Sequence, residues 1–139
     1  MTLNVFCDGS IEGGNPGGQG ASGWVIKGVD GLHMTGAVNL GSHPTMTNNV
    51  AEYNAVVEAL RMVLTKVTTD YDRVIVHCDS KLVVEQCNDG WLCNNEVLRG
   101  LRETIWHLCE KFGCPVEFKW IPREENSEAD AVSRSIYSK

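Results

Sequence analysis

Three short apolar runs separated by turn signals fill the first 40 residues, and they constrain the fold more than any other feature of the chain. The runs cover residues 3–7, 23–29 and 32–40, and a glycine-rich stretch follows the first of them. Asp30-Gly31 lies between the second and third runs and is a strong signal for a two-residue β-hairpin. The chain is therefore predicted to open with three strands, of which the second and third pair antiparallel.

Helical and strand-like patterns alternate through the rest of the chain. Thr47 or Asn48 is a suitable cap for a helix whose apolar residues recur at helical spacing to Lys66. Further elements are predicted as a strand at 73–78, a short helix to residue 87, a helix at about 96–111 ended by a glycine, a strand at 115–121 and a helix at 127–136. This order, βββαβααβα, predicts an α/β fold in one domain, residues 1–139, with a five-stranded mixed sheet flanked by helices.

The charge balance limits the classes of function. Twelve basic and 18 acidic residues give a net charge of −6, whereas an indiscriminate nucleic-acid binder usually carries a basic surface. An enzyme that meets phosphates through metal ions remains compatible with this composition, because hard cations need carboxylate ligands.

Cysteine spacing and hydropathy indicate the compartment. No Cys-x-x-Cys pair occurs among the six cysteines, so a structural zinc site is not expected. The chain is long and apolar enough to fold without a disulfide framework. No apolar run is long enough to cross a bilayer, and the first residues do not form a signal peptide. We expect a cytoplasmic, free-standing monomer with reduced thiols and no membrane partner.

Four acidic residues stand apart from the solvated background. Asp8 and Asp79 come at the carboxyl ends of apolar strands, where open α/β sheets place their ligand crevice. Glu52 is expected in the first turn of the long helix, on its sheet-facing side, and Asp130 in the first turn of the last helix. Each residue alone is typical of a turn, a cap or a solvated position. Their combination indicates a site, because crowded carboxylates repel one another unless cations neutralise them.

Four motifs in this order resemble type 1 ribonuclease H over nearly the whole chain. The most specific parts are the Asp-Gly-Ser opening and the Thr-Asn-Asn-x-x-Glu run. The motifs are Asp8-Gly9-Ser10 with Asn15-Pro16-Gly17, then Thr47-Asn48-Asn49-Val50-Ala51-Glu52, then Asp79-Ser80, and finally Asn126-Ser127-Glu128-Ala129-Asp130.

The resemblance implies a ribonuclease H-like fold and metal-dependent endonucleolytic cleavage of the RNA strand in an RNA/DNA hybrid, leaving 5′-phosphate and 3′-hydroxyl ends. It also implies that two Mg²⁺ ions, or alternatively Mn²⁺, are held by Asp8, Glu52, Asp79 and Asp130. A metal pair can clamp both the attacking and the leaving oxygen of a phosphodiester. The positions that match substrate contacts in the family are Gly9, Ser10, Asn15, Thr47, Asn48 and Asn49.

The chain departs from the family pattern in two places. Many members carry a histidine in the loop before the last helix, whereas this loop contains Arg123 and Glu124 as candidate substitutes. Many members also carry a basic protrusion with tryptophans, whereas residues 87–96 contain Trp91 and no basic residue. Trp91 is a candidate for stacking under a deoxyribose, although a lone tryptophan after a helix is more often part of the core.

Three alternative functions share this sequence pattern. The chain could be a non-catalytic nucleic-acid-binding module, although the presence of all four carboxylates argues against that. It could be an exonuclease or transposase domain, although its brevity and the Asn48-Asn49 pair argue against that. It could also be the nuclease domain of a reverse transcriptase.

Overall fold

A computed structural model describes residues 1–137, so Ser138 and Lys139 of the predicted domain lie outside the described part. The elements follow the predicted order βββαβααβα. The strands are β1 (Thr2–Glu12), β2 (Gln19–Lys27), β3 (His33–Ser42), β4 (Arg73–Cys78) and β5 (Val116–Trp120). The helices are α1 (Asn48–Lys66), α2 (Lys81–Cys87), α3 (Glu96–Cys109) and α4 (Ser127–Arg134), and single-turn 3-10 helices cover Arg123–Glu125 and Ser135–Tyr137.

The five strands form one mixed sheet in the order β3-β2-β1-β4-β5. β2 pairs antiparallel with both β1 and β3, whereas β4 pairs parallel with both β1 and β5. The predicted mixed sheet is therefore confirmed. Its two central strands, β1 and β4, run side by side in the same direction, so their carboxyl ends open at the same edge.

Local sequence signals set several element boundaries as expected. Asp30 and Gly31 have positive φ angles of 59° and 78°, as the predicted turn requires. The connection is longer than the predicted two residues, because Lys27 ends β2 and pairs with His33, which begins β3. The side chain of Thr47 accepts a hydrogen bond from the Val50 amide, so Thr47 is the cap of α1. The end of α3 differs from the prediction, because the helix stops at Cys109, before Gly113.

The last helix and the first strand also differ in length from their predictions. The predicted helix 127–136 divides into α4, which ends at Arg134, and a 3-10 turn. β1 continues past the predicted residue 7, because Gly9–Glu12 pairs with Gln19–Ser22 of β2. Tertiary pairing thus extends a strand through residues that locally favour a turn.

Helices α1 and α4 cover opposite faces of the sheet. The Ser22 hydroxyl donates to the carbonyl of Ala51 in α1 over 2.7 Å, whereas a Cβ on Gly23 would lie 2.5 Å from the amide nitrogen of Ser133 in α4. Successive residues of a strand face opposite sides of a sheet, so α1 lies on one face and α4 on the other. Both helices reach the edge where β1 and β4 end.

The main core lies between the sheet and α1, with α3 packed behind α1. Leu3, Val5 and Cys7 of β1 are at most 1% exposed, as are the alanines of α1 at positions 55 and 59. All six cysteines are free. Within residues 1–137, no helix combines the length and the apolar character that a membrane span requires.

Candidate active site

A crevice of about 300 Å³ opens where β1 and β4 end. It is bounded by the two strands, the start of α1, the 3-10 turn after β5, and α4. Its lining residues are Asp8, Gly9, Ser10, Ile11, Asn48, Glu52, Asp79, Ser80, Arg123, Asp130 and Arg134. The carboxyl end of a parallel strand pair is the expected location of a ligand site in such a sheet.

Three of the four predicted carboxylates converge in this crevice. Cys7 pairs with Cys78 in the parallel register of β1 and β4, so the residues that follow them, Asp8 and Asp79, lie side by side. One carboxylate oxygen from each of these residues and one from Glu52 all lie within 4.8 Å of one another. The convergence that strand alternation predicted is therefore present in the structure.

The fourth carboxylate, Asp130, lies beside this group. It lines the crevice from the first turn of α4, and its side chain contributes to the raised pKa of Asp8. Its oxygens are not part of the compact three-residue cluster, and its side chain is 36% exposed. Asp130 thus closes the outer side of the cluster.

Glu52 is held from both of its carboxylate oxygens. The Gly9 amide donates to Oε1 over 2.6 Å, and the Cys78 thiol donates to Oε2 over 3.5 Å. The side chain is only 6% exposed. Because Thr47 is the cap of α1, Glu52 is the fifth helical residue and lies in the second turn, whereas the sequence predicted the first.

The electrostatics of the crevice favour the protonated forms of Asp8 and Glu52. Burial, followed by the charge of Glu52, raises the pKa of Asp8 far above its usual range, and burial also raises the pKa of Glu52. Burial alone would raise the pKa of Asp130. Interactions with Asp8 and Arg134 outweigh this effect, so the pKa of Asp130 is lowered overall. Two buried acids whose pKa values are both raised form a site in which a second negative charge is costly.

The donor set suits a hard divalent cation. The converging atoms are carboxylate oxygens, which Mg²⁺ and Mn²⁺ accept as ligands. A cation between Asp8, Glu52 and Asp79 would offset the repulsion among the three carboxylates. The residues present therefore fit the metal site that the sequence predicted.

We predict that, in EDTA, the free energy of unfolding falls as the pH rises above about 4. The unfolded chain loses the protons of Asp8 and Glu52 near their ordinary pKa values of about 3.9 and 4.3. The folded protein retains these protons to higher pH, so it binds more protons than the unfolded chain does, and stability declines with pH. This contribution is fully present below pH 4 and is lost as the pH rises through the raised pKa values.

Urea denaturation in EDTA at about pH 5 and about pH 8 measures this decline. The variant Asp8→Asn should show a shallower dependence, because it removes the group whose pKa is raised most. An equal slope in the wild type and the variant would contradict the assignment.

Two residues of the site were not predicted from the sequence to be functional. The Asn126 amide donates to Asp79 Oδ2 over 3.0 Å and to the carbonyl of Cys7 over 2.8 Å, and its side chain is 1% exposed. Arg134 donates to Asp130 Oδ1 over 3.0 Å and lines the crevice. The i,i+4 spacing of Asp130 and Arg134 on a helix was a usable signal, whereas nothing local distinguished Asn126 from a helix cap.

The predicted substrate contacts at the start of α1 surround one rim of the crevice. Asn15 Nδ2 donates to Asn48 Oδ1 over 2.9 Å, which ties the loop after β1 to the helix start. Both of these side chains are exposed. Asn48 lines the crevice, whereas Asn49, which follows it, does not. Thr47 serves as the helix cap, so its oxygen is already an acceptor.

The predicted contacts at Gly9 and Ser10 are largely internal. The Gly9 amide is bonded to Glu52. Ser10 is 6% exposed, and its hydroxyl lies 2.7 Å from that of Ser133 and 2.9 Å from that of Tyr137. These side-chain bonds join β1 to α4 and to the 3-10 turn behind it. Both residues nevertheless line the crevice.

The three candidates outside the main motifs, Trp91, Arg123 and Glu124, occupy different environments. Arg123 lines the crevice, whereas Glu124 and Trp91 are not among its lining residues in the described part of the chain. Arg123 and Glu124 are both exposed. Trp91 is 45% exposed, so the expectation that it belongs to the core is wrong, because the loop between α2 and α3 leaves its ring in contact with solvent.

Known proteins resemble this chain in sequence and in architecture. Residues 6–136 match the family described as reverse transcriptase-like. Ribonuclease HI from Halobacterium salinarum is 32% identical over 132 residues, which cover 94% of this chain. The chain spans 62% of the length of that relative.

Solved structures match over almost the whole chain. The crystal structure of RNase H1 from the halophilic archaeon Halobacterium salinarum superimposes with a TM-score of 0.85 and 28% identity, covering 100% of both chains. The structure of LC11-RNase H1 in complex with an RNA/DNA hybrid gives a TM-score of 0.82 and 29% identity, covering 96% of this chain and 94% of the other.

A five-stranded mixed sheet with a carboxylate crevice at the ends of its central strands, together with these superpositions, defines a ribonuclease H-like protein. The chain belongs to the reverse transcriptase-like family. The predicted relationship to type 1 ribonuclease H and the predicted fold are both confirmed.

Proposed function

We propose that this protein is a ribonuclease H, a metal-dependent endonuclease that hydrolyses the RNA strand of RNA/DNA hybrids to 5′-phosphate and 3′-hydroxyl products. The observation that carries the proposal is the cluster of Asp8, Glu52 and Asp79, whose oxygens approach within 4.8 Å at the open edge of the sheet. The likeness to RNase H1 structures, one of them bound to a hybrid, supports the same substrate class.

In this proposal, Asp8, Glu52, Asp79 and Asp130 are the catalytic carboxylates and the metal ligands. Two divalent cations, when bound there, would supply Lewis-acid stabilisation of the attacking and leaving oxygens in an in-line displacement. Mg²⁺ is the proposed ion and Mn²⁺ the alternative, because both accept oxygen ligands.

Hydrogen bonds within the protein fix the orientation of these carboxylates. The Gly9 amide and the Cys78 thiol orient Glu52, and the Asn126 amide orients Asp79. Arg134 restrains Asp130 while leaving that carboxylate at the outer side of the cluster. These three acids are thereby pre-organised before a substrate arrives, and such orienting partners tune the affinity of a metal site.

The rim formed by Asn15 and Asn48 is the proposed contact for the hybrid's minor groove. An amide side chain can both donate and accept hydrogen bonds, and the 2′-hydroxyl groups in that groove distinguish RNA from DNA. Gly9, Ser10, Thr47 and Asn49 remain proposed contacts of the same rim. The net charge of −6 implies that the cations, rather than a basic surface, carry much of the interaction with phosphate.

Incubation with labelled RNA/DNA hybrid, double-stranded RNA and double-stranded DNA, with and without Mg²⁺, tests the proposal. We expect cleavage of the hybrid alone, in the RNA strand alone and only with the metal. Binding without cleavage in Mg²⁺ and in Mn²⁺ would instead indicate a non-catalytic module. Degradation from one end would indicate an exonuclease.

We predict that the loop before α4 contributes modestly to turnover. Arg123 carries a guanidinium group, which has only donors and can attract phosphate or stabilise developing charge. We therefore expect Arg123→Ala to lower kcat by about tenfold or less, against roughly 10²–10⁴ for a general acid–base residue. We expect Glu124→Gln to have the smaller effect of the two, because Glu124 is exposed and lies outside the lining of the crevice.

Single-turnover cleavage of the hybrid measures both variants. A loss of about a thousandfold in either, with an unchanged thermal midpoint, would show that the residue replaces the histidine found in many family members.

The remaining proposals concern the state of the protein. We propose a single-domain, cytoplasmic monomer. The free state of all six cysteines supports a reducing compartment. A nuclease domain attached to a reverse transcriptase would carry the same site, and gel filtration of the native protein from its cellular source separates the two forms by size.

A further inference from the structure

The sulfur of Cys78 contacts two parts of the acidic crevice at once. Cys78 is the last residue of β4, directly before Asp79, and its side chain is 1% exposed. Its thiol donates to Glu52 Oε2 over 3.5 Å, and the Ser80 amide donates to the same sulfur over 3.4 Å. The sulfur therefore connects Glu52 of α1 to the turn that carries Asp79.

This connection completes the restraint of Glu52. The Gly9 amide donates to Oε1 and the thiol donates to Oε2, so the two donors together limit rotation of the carboxylate. A neutral thiol is a weak donor, but this one acts where the carboxylate is 6% exposed and has little contact with water. Rotation of Glu52 would change the spacing of its oxygens from those of Asp8 and Asp79.

We propose that Cys78 is a positioning residue that fixes Glu52 relative to Asp79 and thereby sets the affinity of the crevice for a divalent cation. The proposal rests on the metal-dependent function proposed above. Partners that orient metal ligands typically alter metal affinity by 10–100-fold when they are removed. Because a thiol donates weakly, the expected effect lies at the low end of that range.

Cys7 provides a matched control. It pairs with Cys78 across β1 and β4 and is equally buried, at 0% exposed. Within the described residues, its sulfur makes no hydrogen bond of its own. Cys7→Val and Cys78→Val therefore make the same change in volume at adjacent positions, but only the second removes a donor from Glu52.

The test measures cation affinity without substrate. The thermal midpoint is measured at increasing Mg²⁺ concentrations, and its rise gives an apparent Kd. A ligand that binds only the folded state stabilises that state according to the ligand's concentration and affinity. We expect Cys78→Val to raise this Kd about tenfold and Cys7→Val to leave it unchanged. Cys78→Ser keeps a donor and should lie between the wild type and Cys78→Val.

Equal Mg²⁺ affinity in the wild type and Cys78→Val, or equal losses in the two valine variants, would overturn the proposal. Hybrid cleavage by the wild type is measured separately. Its absence would refute the proposed nuclease activity, whereas the order of the Mg²⁺ affinities would still decide the role of Cys78. If Cys78→Val does not fold, infrared spectroscopy of the wild type decides the question. The S–H stretching band of Cys78 is identified as the band that is missing from the spectrum of Cys78→Ser. We expect that band to shift when Mg²⁺ saturates the protein, and a band that does not shift would overturn the proposal.

Discussion

Asp8→Asn is expected to lower hybrid cleavage by about a thousandfold or more at saturating Mg²⁺. The substitution removes one of three anionic oxygens that lie within 4.8 Å of one another. Metal ions in such sites contribute several kcal/mol of transition-state stabilisation, and each 1.4 kcal/mol corresponds to a factor of ten in rate. Single-turnover cleavage of a labelled hybrid measures the loss.

The same variant is expected to be more stable than the wild type when the metal is absent. Asp8 is 5% exposed, and both its burial and the charge of Glu52 oppose its ionisation. A neutral amide of nearly the same shape removes this opposition and offers a hydrogen-bond donor to the neighbouring carboxylates. The thermal midpoint in EDTA at about pH 8 should rise by about 4 °C for each kcal/mol of repulsion relieved.

Asp70→Asn is a matched control, since it makes the same chemical change on the exposed turn between α1 and β4. We expect it to leave both cleavage and the thermal midpoint unchanged. Wild-type turnover in Asp8→Asn would remove Asp8 from the proposed metal site. A lower midpoint in EDTA would instead show that the ionised Asp8 contributes to stability.

Local signals were sufficient to predict the elements that carry the crevice. Asp30-Gly31 fixed the hairpin, because few other residue pairs accept two positive φ angles. The buried, β-branched strand β4 placed Asp79 at its end. The two strand-terminal acids could then be paired, because parallel neighbours expose their carboxyl ends at one edge.

Contacts between distant segments were not predictable in the same way. Asn126 bonds to Cys7 and Asp79, which are 119 and 47 residues away in the chain, and its own position before a helix suggests only a cap. Ser10 bonds to Ser133 and Tyr137 across more than 120 residues. Such pairs depend on how α4 docks on the sheet, and no periodicity in the sequence records that.

The close approach of β1 to α1 is another feature that only the structure reveals. A Cβ on Gly9 would lie 2.2 Å from both the Ala51 carbonyl carbon and the Glu52 amide nitrogen. These are backbone atoms of a helix, so no flexible side chain can move aside. Gly9→Ala must therefore push β1 away from α1 or strain both.

We expect Gly9→Ala to lower the free energy of unfolding by about 3 kcal/mol or more, at the upper end of the range for overpacking. The displacement would also lengthen the 2.6 Å hydrogen bond from the Gly9 amide to Glu52 and separate Asp8 from Glu52. Cleavage and Mg²⁺ affinity should both decrease in whatever fraction still folds. Urea denaturation in EDTA measures the stability, and Mg²⁺ titration of the thermal midpoint measures the affinity.

Gly100→Ala separates the effect of crowding from the general effect of replacing a glycine. Gly100 lies inside α3, and a Cβ there would meet nothing within 4 Å. Alanine is favoured over glycine by about 1 kcal/mol in a helix interior, so this variant should gain stability and cleave the hybrid normally. Opposite signs for the two substitutions would assign the loss at Gly9 to its contact with α1. A Gly9→Ala protein as stable and active as the wild type would show that the strand and the helix can separate without cost, and that their contact does not hold Asp8 and Glu52 together.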